Sequence, residues 1–260
     1  MAKVFIDPGH GGKDSGASSF GLKEKDIVLM IAKKIASQLK ENYNDIEVMM
    51  SRTDDVFISL SERASMADKR GAELFVSIHI NAGGGEGFET YRYISTSEYG
   101  DTGRAQDVLH EAIYKEIKAE NVKNRGKKVA NFAVLRETSM KAILTENLFI
   151  DNEKDAALLK ESGFLDRVVL GHVKGIANIL ELEQAGNEAD KNSNSLVVVK
   201  DNSDGWLWTY NSADWDDKAI KVKPNEAFTI VGTYMVNGSK MYKLKSGLYI
   251  TASPKFVKIK

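Results

Sequence analysis

The chain has 260 residues, 42% of them hydrophobic and 28% charged, with a formal net charge of −1. These are ordinary values for a soluble globular protein built as one large domain or as a medium domain with a small one. Cysteine is absent, which excludes disulfides, thiolate ligands and a cysteine nucleophile. No window approaches the roughly 20 apolar residues of a membrane helix, and the near-neutral charge argues against a nucleic-acid partner.

Residues 3–7 read as the first strand, and Met1-Ala2-Lys3 enters it without the apolar stretch of a secretory signal. The expectation is a protein made without a signal peptide. The strand runs into Asp7-Pro8-Gly9-His10-Gly11-Gly12. Over residues 23–42 the spacing of Ile27, Met30, Ile31, Ile35 and Leu39 predicts an amphipathic helix. A strand at 46–51 and a helix at 59–70 follow. The next strand, 73–79, ends in Ser77-Ile78-His79-Ile80-Asn81, and Gly83-Gly84-Gly85 breaks regular structure beyond it. Further strands are expected at 87–93, 132–136 and 142–148, and helices at 103–119, 153–160 and 163–182. The last helix carries Leu165, Val168, Val169, Ile176, Ile179 and Leu180 on one stripe. The alternation predicts an α/β domain over residues 1–182, a mostly parallel or mixed sheet with helices on both faces.

Residues 183–195 are polar apart from two alanines and read as a linker. Beyond it, residues 196–260 read all-β, with short strands at 196–199, 205–210, 227–231, 240–244 and 248–250 and a hairpin turn at Asn237-Gly238. This predicts a small SH3-like barrel. The tail holds ten lysines against six acids, so +4, and leaves −5 for the rest of the chain. Such asymmetry points to an anionic partner for the tail. Trp206, Trp208 and Tyr210 share one strand face, which is either core or an exposed ligand platform.

The chemistry concentrates in the front domain. His10 and His79, two of only four histidines, sit at the C-terminal ends of predicted strands, where α/β sheets collect ligands. Two imidazoles there suggest a metal site, and catalytic zinc sites use three protein ligands with an open position. The third ligand is expected among the acids that follow His10. Glu24 and Asp26 both begin the first long helix, where an acid also complements the helix dipole. Glu146 lies in the apolar run Ala142-Ile143-Leu144-Thr145-Glu146-Asn147-Leu148-Phe149-Ile150. A carboxylate there is costly to bury without a partner, which marks it as the candidate general base. His110 is expected on a solvated helix face and His172 as a structural helix residue. Asp7 is either a partner for a ligand imidazole or a cap on the turn before Pro8.

The motifs resemble those of zinc-dependent N-acetylmuramoyl-L-alanine amidases of the Amidase_3 type over residues 3–180. They are Ile6-Asp7-Pro8-Gly9-His10-Gly11-Gly12 with Asp14 and Gly16, Gly21-Leu22-Lys23-Glu24, Ser51-Arg52-Thr53-Asp54 with Leu60 and Arg63, Ser77-Ile78-His79-Ile80-Asn81, and Glu146-Asn147-Leu148-Phe149-Ile150-Asp151-Asn152. Each is weak alone, but their order along the domain is specific. The resemblance implies one zinc ion held by His10, Glu24 and His79, with Glu146 as the catalytic carboxylate. It implies cleavage of the amide between N-acetylmuramic acid and L-alanine in peptidoglycan. Asn81 and Leu148 are then expected at the substrate, as are Arg52 and Arg63 unless these form structural ion pairs. Two residues depart from the family pattern: Asp68 where Asn is usual, and Leu148 where Gly is usual.

The tail resembles the wall-binding modules of phage lytic amidases, which implies cell-wall contact through Trp206, Trp208 and Tyr210 and an anionic wall polymer as a partner. The combination looks like a phage endolysin, made in the host cytoplasm and released through holin-type pores to lyse the cell. Two other classes fit the same residues: a zinc carboxypeptidase or endopeptidase of peptidoglycan, and a wall-binding protein with an inactive enzyme domain. A newly released N-terminal alanine marks the amidase.

Overall fold

In a computed structural model of the chain, the described residues are 1–184, 195–213, 215–236 and 239–260. They divide into two compact units, one of Met1–Lys40 with Asp45–Leu182, the other of Glu183–Lys260 with Glu41–Asn44. The expected linker at 183–195 and the Asn237-Gly238 turn fall largely or wholly outside the described residues.

The first unit is built from β1 (Ala2–Pro8), a hairpin of β2 (Ser18–Ser19) and β3 (Leu22–Lys23), α1 (Glu24–Asn42), β4 (Ile46–Met50), α2 (Leu60–Lys69), β5 (Leu74–Asn81) and β6 (Phe88–Tyr93). It continues with α3 (Asp101–Ile117), β7 (Asn124–Ala130), α4 (Ala133–Arg136), β8 (Lys141–Phe149), α5 (Glu153–Leu159) and α6 (Ser162–Ile179). Six strands form one mixed sheet in the order β4-β1-β5-β8-β6-β7. Only β6 against β8 is antiparallel; the other pairings are parallel.

The helices cover both faces. On one, Ala67 of α2 and Val134 and Leu135 of α4 pack on Phe5, Phe75, Ala142 and Leu144. On the other, His110 of α3 reaches Thr90 and His172 of α6 reaches Thr145, and Lys34 of α1 pairs with Asp166 of α6. The stripe on α1 buries Ile27, Ile31, Ile35 and Leu39 but leaves Met30 39% exposed.

Two expectations need correction. Residues 132–136 form a short helix rather than a strand. An apolar run of that length, Phe-Ala-Val-Leu, carries no periodicity that separates the two. The edge strand is instead β7, Asn-Arg-Gly-Lys-Lys-Val-Ala. Its lysines and glycine hide it from a propensity reading, and they are what an exposed sheet edge carries. His110 is not solvated. It is 1% exposed, stacked on Phe88 and set between Thr90 Oγ1 at 3.1 Å and Asn124 Oδ1 at 3.0 Å.

The second unit is all-β, with strands β9 (Leu196–Val199), β10 (Leu207–Tyr210), β11 (Lys218–Val222), β12 (Ala227–Val236), β13 (Ser239–Leu244), β14 (Tyr249–Thr251) and β15 (Val257–Ile259). Their order is β11-β10-β14-β13-β12-β9-β15. β11 and β15 were not expected, because Lys-Ala-Ile-Lys-Val lacks strict alternation and Val-Lys-Ile is only three residues long, and both carry lysine at the sheet edges. The core gathers Val197, Val199, Val222, Ile230, Leu244, Ile250 and Val257. Among the described residues, no helix is long and apolar enough to cross a membrane.

Candidate metal centre and active site

The parallel strands deliver their C-terminal ends to one edge of the first unit. His10 follows β1, His79 lies near the end of β5 beside Glu146 of β8 in register, and Glu24 opens α1. His10 Nε2 and His79 Nδ1 lie 3.1 and 3.0 Å from the same oxygen, Glu24 Oε1. One ligand atom from each residue falls within 4.8 Å of the other two. The two imidazoles stand edge to face with centroids 5.0 Å apart.

The backbone is shaped around this cluster. A Cβ on Gly9 would lie 2.3 Å from the His79 ring, and one on Gly16 would lie 2.5 Å from Glu24 Oε2. Glycine is therefore required at both positions for the three side chains to meet. His10 itself has φ of 59°, an unusual left-handed conformation for a side-chain-bearing residue.

Hydrogen bonds orient the ligands. Glu24 Oε1 also accepts from the Ile80 N–H and Oε2 from the Ala17 N–H, each at 3.0 Å. Burial works against its charge, but hydrogen bonds from His10 and His79 outweigh this and hold its pKa well below the usual carboxylate range. His10 Nδ1 lies 2.9 Å from Asp14 Oδ2. Burial lowers the His10 pKa, and the Glu24 and Asp14 carboxylates reverse this to a net rise. The partner of the imidazole is thus Asp14, four residues on, rather than Asp7. Asp26, the other candidate acid, is exposed on α1.

Asp7 is fully buried. It accepts from Ser51 at 2.6 Å, Ser77 at 2.8 Å and Arg63 Nη1 at 2.7 Å. Arg63, 2% exposed, also donates to the carbonyls of Ile58, Pro8 and His10. Arg52, 3% exposed, donates to those of Pro8, Asp54, Gly9 and Lys25. Both side chains are buried and bonded to protein groups, the structural alternative of the two expected for them. Both tie the loop carrying His10 to the rest of the domain.

Glu146 sits beside the ligand cluster. Burial, and then the charges of Glu24 and Glu89, raise its pKa well above the usual value. Its Oε2 is buried without a hydrogen-bond partner among the described residues. Leu148, expected at the substrate, is 1% exposed. Its φ is 74°, and the β5–β8 register shifts between His79 and Asn81, so a bulge places it in a conformation that suits glycine. That accounts for the glycine usual at this position, and Leu148 occupies it with a strained backbone. Asn81 stays at the rim and donates to Glu89 Oε1 at 2.8 Å. Asp68, the other departure, accepts from Ser139 N and Oγ at 3.0 and 2.7 Å, far from the cluster in the fold.

Sequence reasoning missed Glu89, which lies directly across the antiparallel ladder from Glu146 and is 1% exposed. Arg125 and Lys128 of β7 both donate to it. Only the pairing of β6 with β8 and β7 reveals this group. A carboxylate inside Gly87-Phe88-Glu89-Thr90-Tyr91 was the one available signal.

In the second unit, Leu207 and Thr209 face the core while Trp206, Trp208 and Tyr210 are half-buried on the other side. Trp206 and Trp208 meet edge to face at 5.6 Å. Lys221 Nζ stands 3.6 Å from the Trp206 ring centre and 5.1 Å from that of Trp208.

Comparison with known proteins agrees with this geometry. An endolysin of Bacillus phage SPP1 is 57% identical over 99% of this chain and 98% of its own length. The N-acetylmuramoyl-L-alanine amidase CwlM of Bacillus licheniformis is 44% identical over 78% of this chain and 79% of its own. The solved catalytic domain of CwlV, an N-acetylmuramoyl-L-alanine amidase from Paenibacillus polymyxa, superposes with a TM-score of 0.65 at 36% identity. It covers 70% of this chain and all of that one. With the family model matched over residues 4–178, the chain belongs to the N-acetylmuramoyl-L-alanine amidase family.

Proposed function

We propose that this amidase works with one zinc ion held by His10, Glu24 and His79, with Glu146 as its proton carrier. The bond cut is the amide between N-acetylmuramic acid and the L-alanine of the stem peptide. The donor set fits zinc: two imidazoles and one carboxylate converge within 4.8 Å, the number and type of protein ligands that catalytic zinc sites use. When bound, zinc supplies Lewis acidity, polarising a carbonyl and acidifying water. Glu146 accepts the proton of the attacking water and passes it to the nitrogen of the departing alanine. A carboxyl whose pKa is lifted by burial, by Glu24 and by Glu89 exchanges protons nearer neutrality than an exposed one. Asp14 holds the His10 ring through Nδ1, the usual support for a ligand imidazole.

The observation that carries this proposal is the partnerless, buried Oε2 of Glu146 beside the three-residue cluster. Glu146→Gln is expected to keep zinc and fold and to lose about 10² to 10⁴ in rate, read as release of N-terminal alanine from purified walls. His79→Ala is expected to lose zinc by elemental analysis. Full zinc occupancy in His79→Ala removes that ligand from the set, and normal turnover by Glu146→Gln moves the proton carrier elsewhere.

The all-β unit is proposed to be an SH3-like wall-binding module acting through Trp206, Trp208 and Tyr210. Its half-buried aromatic row, crowned by Lys221, and its surplus of lysines support an anionic wall polymer as ligand. The similarity to a phage endolysin supports a role in host lysis, with release through holin-type pores. Sedimentation of the full chain carrying Glu146→Gln against walls, over a salt series, tests the module. Binding is expected to weaken as salt rises, and Trp206→Ala to weaken it at every salt.

A further inference from the structure

Glu89 holds more cationic charge than it neutralises. Its Oε1 accepts from Asn81 Nδ2 and from the Tyr91 hydroxyl, both at 2.8 Å. Its Oε2 accepts from Arg125 Nε at 2.6 Å and from Lys128 Nζ. In this cluster two cations therefore meet one buried carboxylate. The acid is buried but the cations are not: the side chains of Arg125 and Lys128 are 27% and 35% exposed.

Both cations are fixed in advance. The Arg125 guanidinium lies 4.8 Å from the Phe149 ring centre and the Lys128 ammonium 5.8 Å from that of Tyr91. Among the described residues, Arg125 bonds through Nε, which leaves Nη1 and Nη2 for the two-bond grip of a carboxylate. Of the neighbouring acids, Asp155 accepts from the Gly87 and Phe149 N–H groups and also feels the Arg125 charge, Asp151 accepts from the N–H groups of Gly83 and Gly84, and Glu86 pairs with Lys123.

We propose that Arg125 and Lys128, anchored by Glu89, form a specificity subsite for a free carboxylate on the peptide half of the substrate. The stem peptide then crosses β6 and β7, and the glycan lies on the side of β1 and β4. Substrate chemistry sets this direction. N-acetylated sugars are uncharged, and the lactyl carboxyl is consumed in the scissile amide, so the free carboxylates near the cut belong to the peptide. The distances agree. β7 lies two strand spacings from β8, roughly 10 Å. Two extended peptide residues span roughly 7 Å, and the long arginine and lysine arms cover the remainder. The carboxylate that fits is the one on the second residue of the stem.

This inference rests on the active site proposed above. Its test uses the zinc-loaded full chain and two soluble disaccharide-pentapeptides that differ only at the second stem residue, D-isoglutamate in one and D-isoglutamine in the other. The wild-type protein is expected to favour the carboxylate form about tenfold in kcat/KM, chiefly through KM, the effect of one charge-assisted bond at a partly exposed site. In Arg125→Met, and separately in Lys128→Met, the ratio is expected to fall to near one. A wild-type ratio near one, or a ratio that survives in both variants, overturns the subsite. Glu146→Gln in the same assay separates the two failures. If it cleaves normally, the active site is misplaced; if it is inactive while the ratios do not move, the subsite alone is wrong.

Discussion

Two buried carboxylates flank the cluster of His10, Glu24 and His79: Asp7, near the start of the loop that carries His10, and Glu89, across from Glu146, and each is paired with arginine. Around Asp7 the cation is buried too, and Arg63 turns its donors to Asp7 and to three backbone carbonyls. Around Glu89 the acid is interior while Arg125 and Lys128 reach the surface. The same chemical pair is a strut in one place and a docking point in the other. What separates them is the exposure of the cation, not the burial of the acid.

This contrast is sharpest in stability. Arg63→Met leaves Asp7 charged and buried and frees three carbonyls, so a loss of about 3 to 5 kcal/mol is expected, read from denaturant unfolding. A loss under 1 kcal/mol would mean that Arg63 is no strut. His172 adds a third way to bury a polar group, by keeping it neutral. It is fully buried, set between Thr145 Oγ1 at 3.0 Å and the Val168 carbonyl at 2.8 Å. Burial pushes its pKa down from 6.5 to about 4.

The unfolded chain therefore takes up this proton near pH 6.5, and the folded chain only near pH 4. Stability from this group is complete above about pH 6.5 and is lost as pH falls toward 4, on the order of 3 kcal/mol. His172→Gln is expected to remove that part of the slope, and equal slopes in variant and wild type contradict it. The smallest effect belongs to Lys128→Met, under about 1 kcal/mol in unfolding despite its expected effect on substrate preference. A destabilisation matching that of Arg63→Met would erase the distinction between strut and docking point.

The sequence was most legible where local pattern and chemistry coincide. His10 and His79 follow apolar runs that become β1 and β5, and the stripes on α1 and α6 become buried faces. Legibility failed where partners are distant along the chain. Arg52 and Arg63 fit a substrate role or a structural one equally well in sequence, and only partners more than 40 residues away, such as the Pro8 carbonyl, reveal what they bond. Arg125 and Lys128 have no local signature, because an edge strand built of charge reads as loop, and Glu89 shows only as a carboxylate inside an expected strand. Phe132–Leu135 failed for the opposite reason, since a short apolar run fits either element.

The bulge at Leu148 sets two effects against each other. A left-handed backbone costs a branched side chain roughly 1 to 2 kcal/mol, whereas burying leucine stabilises by about 1.5 to 3 kcal/mol. Leucine and glycine at this position thus come out nearly even, one gaining from packing what the other gains from conformational ease. An exchange of leucine for glycine here, two residues from Glu146 in sequence, is therefore expected to move stability by less than about 1 kcal/mol in denaturant unfolding.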